Sequence, residues 1–72
     1  MKQLSFKKSE WEEFLNEIDF KDDELKIIPL VRRGWAQEDI ASELFISRRT
    51  VARRITSISN KIIQYILNTY KK

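Results

Sequence analysis

The chain has 72 residues, 35% of them charged, and a formal net charge of +3. It contains no cysteine and no histidine, which excludes a Cys/His zinc site, a thiol nucleophile and every histidine-based catalytic triad. Because the chain also shows no signal-like start and no apolar run long enough to span a membrane, we expect a cytoplasmic protein without a membrane partner. We also expect it to be non-enzymatic and to need no metal or cofactor.

The charge is divided unevenly along the chain. Residues 1–30 carry five basic and eight acidic groups, a net −3, whereas residues 31–72 carry nine basic and three acidic groups, a net +6. A basic half of this kind favours a polyanion, because phosphates can replace small counterions there. An anionic membrane surface could also bind this basic half, so the charge alone does not identify DNA as the partner.

One glycine and one proline in the whole chain predict an all-α fold, a small bundle of four helices in a single domain, 1–72. The first helix is expected over about 10–19, with Ser9 and Glu12 forming a capping box. Its apolar face includes Trp11 and Phe14.

A second helix is expected to begin with Asp22 or Asp23 as its cap and to end at Gly34. Pro29 predicts a kink or a break within it. The acids from 19 to 24 are interpreted as helix-starting residues rather than as a metal site. The positions predicted to face inward are Leu25, Ile27, Ile28, Leu30 and Val31.

A third helix is expected over about 37–44, with Phe45 packed in the core at the turn that follows. Ser47 is the predicted N-cap of a fourth helix, which runs to about Tyr70. The second half of so long a helix extends beyond a three-helix core, so the first helix or a second chain should cover it. The predicted packing or dimer seam there consists of Ile62, Ile63, Ile66, Leu67 and Tyr70.

Four arginines lie within seven residues at the start of the fourth helix, at positions 48, 49, 53 and 54. Exposed helix faces usually mix charges of both signs, since acids and bases four residues apart pair. From Leu44 onward the chain has no acid. The arginines therefore look less like an ordinary solvated face than like a binding surface.

The segment "EDIASELFISRRTVARRI" resembles the helix-turn-helix of GerE/LuxR-type bacterial transcription regulators, in which an acid, Ile-Ala, Leu, Ile-Ser and Thr-Val follow in this order. Upstream, "DELKIIPLVRRG" resembles the helix that precedes the motif in that family. The likeness covers about residues 20–62. Residues 1–19 are then an added N-terminal amphipathic helix, and 62–72 a C-terminal extension.

The resemblance implies a sequence-specific regulator, bacterial or phage, that binds double-stranded DNA as a homodimer and places the fourth helix in the major groove. By position, the residues that would read bases are Arg49, Ala52, Arg53 and Thr56. Those that would bind phosphate are Ser47, Arg48, Thr50, Arg54 and Gln37. Since the chain shows no receiver or ligand-binding domain, we expect control by its concentration or by a partner.

Two alternatives stay open on the sequence alone. The chain more distantly resembles the promoter-binding helix-turn-helix of sigma factors, which act through RNA polymerase. The acidic N-terminal helix, with Trp11 and Phe14, would then be the surface that contacts the polymerase. A protein-interaction module would instead dock its basic helix on an acidic protein and would not bind DNA.

Overall fold

The computed structural model describes residues 5–70, and that range contains four α-helices and no strand. The helices are α1 (Lys8–Glu17), α2 (Asp22–Arg32), α3 (Gln37–Leu44) and α4 (Arg48–Tyr70). The predicted all-α architecture of four helices is confirmed. No helix within residues 5–70 is long and apolar enough to cross a membrane.

Helix α1 begins two residues earlier than predicted. Lys7 is its N-cap, and the backbone N–H of Lys7 donates to Oε1 of Glu10 at 2.8 Å. The predicted capping box of Ser9 and Glu12 is wrong, because Ser9 already lies inside the helix. The helix ends at Glu17.

Helix α2 repeats this arrangement. Its N-cap is Lys21, not an aspartate, and the Lys21 N–H donates to Oε1 of Glu24 at 2.8 Å. The helix passes through Pro29 without a break. Pro29 and Leu25 are both exposed, so the proline lies on the solvent side of the helix rather than in the core. The prediction that Leu25 faces inward is therefore wrong.

The core lies where α4 crosses the other helices. Its buried apolar residues are Trp11, Phe14, Phe20, Ile27, Ile28, Val31, Ile40, Ala41, Val51, Ile55, Ile58 and Ile62. The four from α4 follow the spacing of three or four residues that predicted them. Phe45 was also predicted to lie in the core, and this prediction is wrong because its side chain is 94% exposed.

Helix α1 covers one side of the second half of α4. The rings of Phe14 and Tyr65 lie edge to face with centroids 5.9 Å apart. The hydroxyl groups of Tyr65 and Tyr70 both donate to Oε2 of Glu13, and these hydrogen bonds raise the pKa of each tyrosine above its ordinary value. The first helix, rather than a second chain, therefore covers this side.

The predicted seam divides between two environments. Ile62 is buried and Ile66 is half-buried against the core, so both pack within the chain. Ile63, Leu67 and Tyr70 are exposed. These three residues, spaced four and then three positions apart, form an apolar stripe on α4, which we call the α4 stripe.

Candidate nucleic-acid interface

Helices α3 and α4 are joined by a three-residue turn. Phe45 occupies the left-handed region with φ of 58°, and the N–H of Ile46 donates to the carbonyl of Ala41 at 3.1 Å. This left-handed residue ends α3 and turns the chain sharply into α4. Ala41 is buried, and its small side chain allows close packing at this helix pair. The two helices and their turn form the helix-turn-helix predicted from the sequence.

The first turn of α4 has a complete side-chain cap. Oγ of Ser47 accepts the N–H of Thr50 at 3.1 Å, and the two side-chain oxygens of these residues lie 2.9 Å apart. Ser47 is thus the N-cap, as predicted. Two of the predicted phosphate-binding residues therefore lie together at the positive end of the helix, which favours an anion.

The four predicted base-reading residues lie on the side of α4 that faces away from its buried line. Arg49, Arg53 and Thr56 are exposed, and Ala52 is half-buried. Within the described part of the chain, neither arginine of this set forms an ion pair. Both guanidinium groups are therefore available to a ligand, and such a group can bridge O6 and N7 of a guanine. We call these four residues the reading face.

The basic residues beside the reading face have acidic partners from other helices. Nε of Arg54 lies 2.5 Å from Oδ2 of Asp23 on α2. Arg48 and Glu38 are both well exposed and 3.9 Å apart, a weak contact. Although α4 has no acid of its own, acids of α2 and α3 pair with two of its arginines, and the sequence of α4 gave no sign of these contacts. The remaining predicted phosphate residue, Gln37, is the half-buried first residue of α3.

A buried carboxylate joins α2 to α4. Glu24 is 1% exposed and accepts hydrogen bonds from Ser57 Oγ at 2.6 Å, Lys61 Nζ at 2.7 Å and the Lys21 N–H at 2.8 Å. Burial acts to raise the pKa of Glu24, but these hydrogen bonds outweigh it, so the pKa lies below its ordinary value of 4.5. Glu24 is therefore ionised at neutral pH and connects the two helices.

Glu24 has a structural role that sequence reasoning did not find, because Lys61 is 37 positions away. The acids at the start of α2 do occupy its first turn, as predicted. No cluster of acids between residues 5 and 70 has the arrangement of a metal site.

A family model for the homeodomain-like domain matches residues 20–60. The chain belongs to the homeodomain-like family of helix-turn-helix domains. The match covers α2, α3 and the first half of α4, so it contains the cap at Ser47 and the whole reading face. The chain is thus a helix-turn-helix DNA-binding domain of the kind found in transcription regulators.

Several curated relatives are similar to part of this homeodomain-like chain. The oxygen regulatory protein NreC of Staphylococcus haemolyticus is 44% identical to it over 39 residues, and NreC from two strains of Staphylococcus epidermidis gives the same figures. The alignment covers 54% of this chain but only 18% of each relative. No solved structure shows a significant match.

Proposed function

We propose that the chain is a sequence-specific, non-enzymatic transcription regulator of the GerE/LuxR kind, which reads the major groove of double-stranded DNA with its reading face. The observation that carries the proposal is that Arg49 and Arg53, on the outward side of a capped helix, are exposed and have no ion-pair partner among residues 5–70. Arg49 and Arg53 would bind base edges, while Ser47, Thr50 and the first N–H groups of α4 would bind a phosphate.

The proposed regulator acts as a homodimer in the cytoplasm of a bacterial or phage-infected cell. The α4 stripe supports the dimer, because its spacing of four and three residues is that of a seam between two helices. Two copies of one stripe can pack across a two-fold axis and bury the apolar side chains that a single copy exposes. The dimer would meet two half-sites about 34 Å apart, one turn of DNA, or a multiple of that spacing.

The sigma-like alternative loses the aromatic part of its expected contact surface. Trp11 and Phe14 are both buried in the core, so they do not form an exposed surface for RNA polymerase. The exposed acids of α1, which were part of the same expected surface, remain accessible for such a contact. The interaction-module alternative differs from our proposal in one measurable property, which is binding to DNA.

The proposal is tested by selecting bound sites from a random duplex library and measuring the affinity of variants for a selected site. We expect the double variant Arg49→Ala, Arg53→Ala to bind at least about 30-fold more weakly, which corresponds to about 1 kcal/mol for each arginine. The matched control is Lys8→Ala, Lys26→Ala, which removes two exposed positive charges from α1 and α2 and should cost only a few-fold.

Circular dichroism must show both double variants to be folded. Equal affinity of the two for the selected site would show that the reading face is wrongly assigned. The salt dependence of binding to random duplex DNA tests the function itself, because phosphate contacts make affinity fall as salt rises. A slope near zero would leave only the interaction module.

A further inference from the structure

One arginine beside the reading face is occupied by the protein's own acid. Nε of Arg54 lies 2.5 Å from Oδ2 of Asp23, and the two side chains are 40% and 44% exposed. Oδ1 of Asp23 and Nε of Arg54 are both buried and neither atom makes a hydrogen bond within residues 5–70, so the short contact is an ion pair without hydrogen-bond geometry. The pair is therefore made through one contact, not through the two parallel contacts of a bidentate pair.

Arg54 lies on the side of α4 where a DNA backbone would pass. It follows Arg53 of the reading face directly, and it lies one helical turn after Thr50, which pairs with the N-cap Ser47. Thr50 and Arg54 thus share a flank of the helix. A DNA phosphate on this flank and the Asp23 carboxylate would compete for the same guanidinium group.

We propose that Asp23 is an internal counter-ion of Arg54 that withholds this arginine from DNA and so lowers the affinity and salt dependence of binding. The inference rests on the proposed function. A phosphate that approaches Arg54 meets a neutral pair, and the Asp23 carboxylate repels it. Arg49 and Arg53 keep their full charge, so base contacts supply a larger share of the binding.

The Asp23–Arg54 pair is more exposed than the Glu24–Lys61 pair, which also joins α2 to α4. Lys61 is 29% exposed and its partner Glu24 only 1%, so that pair is part of the interior. Asp23 and Arg54 are each close to half exposed, so water can reach both when the contact opens. The Asp23–Arg54 pair can therefore exchange its partner without unfolding the domain.

The test compares Asp23→Asn with Asp22→Asn. Asp22 is the exposed neighbour in the same helical turn, so its substitution removes the same charge from nearly the same place without touching Arg54. The probe is a random-sequence duplex, titrated between 50 and 200 mM salt.

We expect Asp23→Asn to bind about fivefold more tightly than Asp22→Asn at low salt, which corresponds to about 1 kcal/mol. We also expect its salt slope to be steeper by about 0.9, the contribution of one phosphate contact. Between 50 and 200 mM salt, this difference in slope would make the affinity of Asp23→Asn fall about 3.5-fold more than that of Asp22→Asn.

Both substitutions are repeated with Arg54→Gln, and urea unfolding shows that every variant is folded. Without Arg54, the two asparagine variants should bind alike. The inference is wrong if Asp23→Asn tightens binding equally with and without Arg54, since that effect is one of net charge. It is also wrong if Asp23→Asn weakens binding, since Asp23 would then position Arg54 for DNA. A wild-type protein that does not bind the duplex would refute the proposed function before Asp23 is compared.

Discussion

Replacing Glu24 by glutamine should destabilise the fold by about 3 kcal/mol. Glutamine keeps the size of the side chain but removes the charge, so the Lys61 ammonium loses its counter-ion and the amide presents hydrogen atoms to groups that also donate. Removing one partner of a buried ion pair costs about 3–5 kcal/mol. We expect the lower end because Lys61 is 29% exposed and also donates to the Asp19 carbonyl at 3.4 Å.

Urea unfolding at neutral pH, followed by circular dichroism, measures this loss. For a domain of this size, 3 kcal/mol corresponds to a fall of about 12–24 °C in Tm. The matched control is Glu38→Gln. Glu38 is exposed and its contact with Arg48 is long, at 3.9 Å, so this substitution should change the free energy of unfolding by less than about 0.5 kcal/mol. If the two variants differ by less than about 1 kcal/mol, our account of the buried carboxylate is wrong.

Comparing the wild type with Glu24→Gln also gives a prediction for the pH dependence of stability. The pKa of Glu24 is lower in the folded protein than its ordinary value of 4.5, so its ionised form stabilises the fold fully above about pH 4.5. That stabilisation is lost as the pH falls through the pKa of the folded state. The difference in unfolding free energy between wild type and Glu24→Gln should therefore shrink below pH 4.5. A constant difference down to the pH at which the wild type unfolds would contradict this.

Two further substitutions test the turn and the dimer. Phe45→Asn should stabilise the fold by about 0.5–1 kcal/mol in urea unfolding, because asparagine tolerates a φ of 58° better than phenylalanine and Phe45 is 94% exposed. The exposed helical control Ser42→Asn should not stabilise it, and a destabilised Phe45→Asn would contradict the argument. If the proposed dimer forms through the α4 stripe, Leu67→Glu should convert it to a monomer in a solution mass measurement without unfolding the chain. Asn68→Glu, one position off the stripe, should stay dimeric, and a dimer that survives Leu67→Glu would lie on another surface.

Local signals predicted α3 and α4 well. Ser47 is a residue type that caps helices, and no glycine or proline follows it, so both the start and the length of α4 could be predicted. The starts of α1 and α2 were missed because lysines stand at both N-caps. There the glutamate three residues later, Glu10 or Glu24, reaches back to the lysine N–H, and no preference for lysine signals that cap.

Contacts between helices could not be predicted in the same way. Helical periodicity gives the face of a helix that is buried, but not which acid of one helix meets which base of another. Asp23 and Glu24 therefore looked like ordinary helix-starting acids, although they pair with Arg54 and Lys61 of α4. Phe45 was misplaced for a related reason. Its apolar side chain suggested burial, but the left-handed turn points it into solvent.

The packing of α1 on the second half of α4 forms a pole of the molecule remote from the reading face. Glu13 contacts Tyr70, and Tyr70 lies about 33 Å along α4 from Arg48, at 22 rises of 1.5 Å. The middle of α1 therefore meets the last turn of α4 at the end of that helix opposite its first turn. This pole, formed by α1 and the last turn of α4, would consequently stand clear of DNA bound at the reading face.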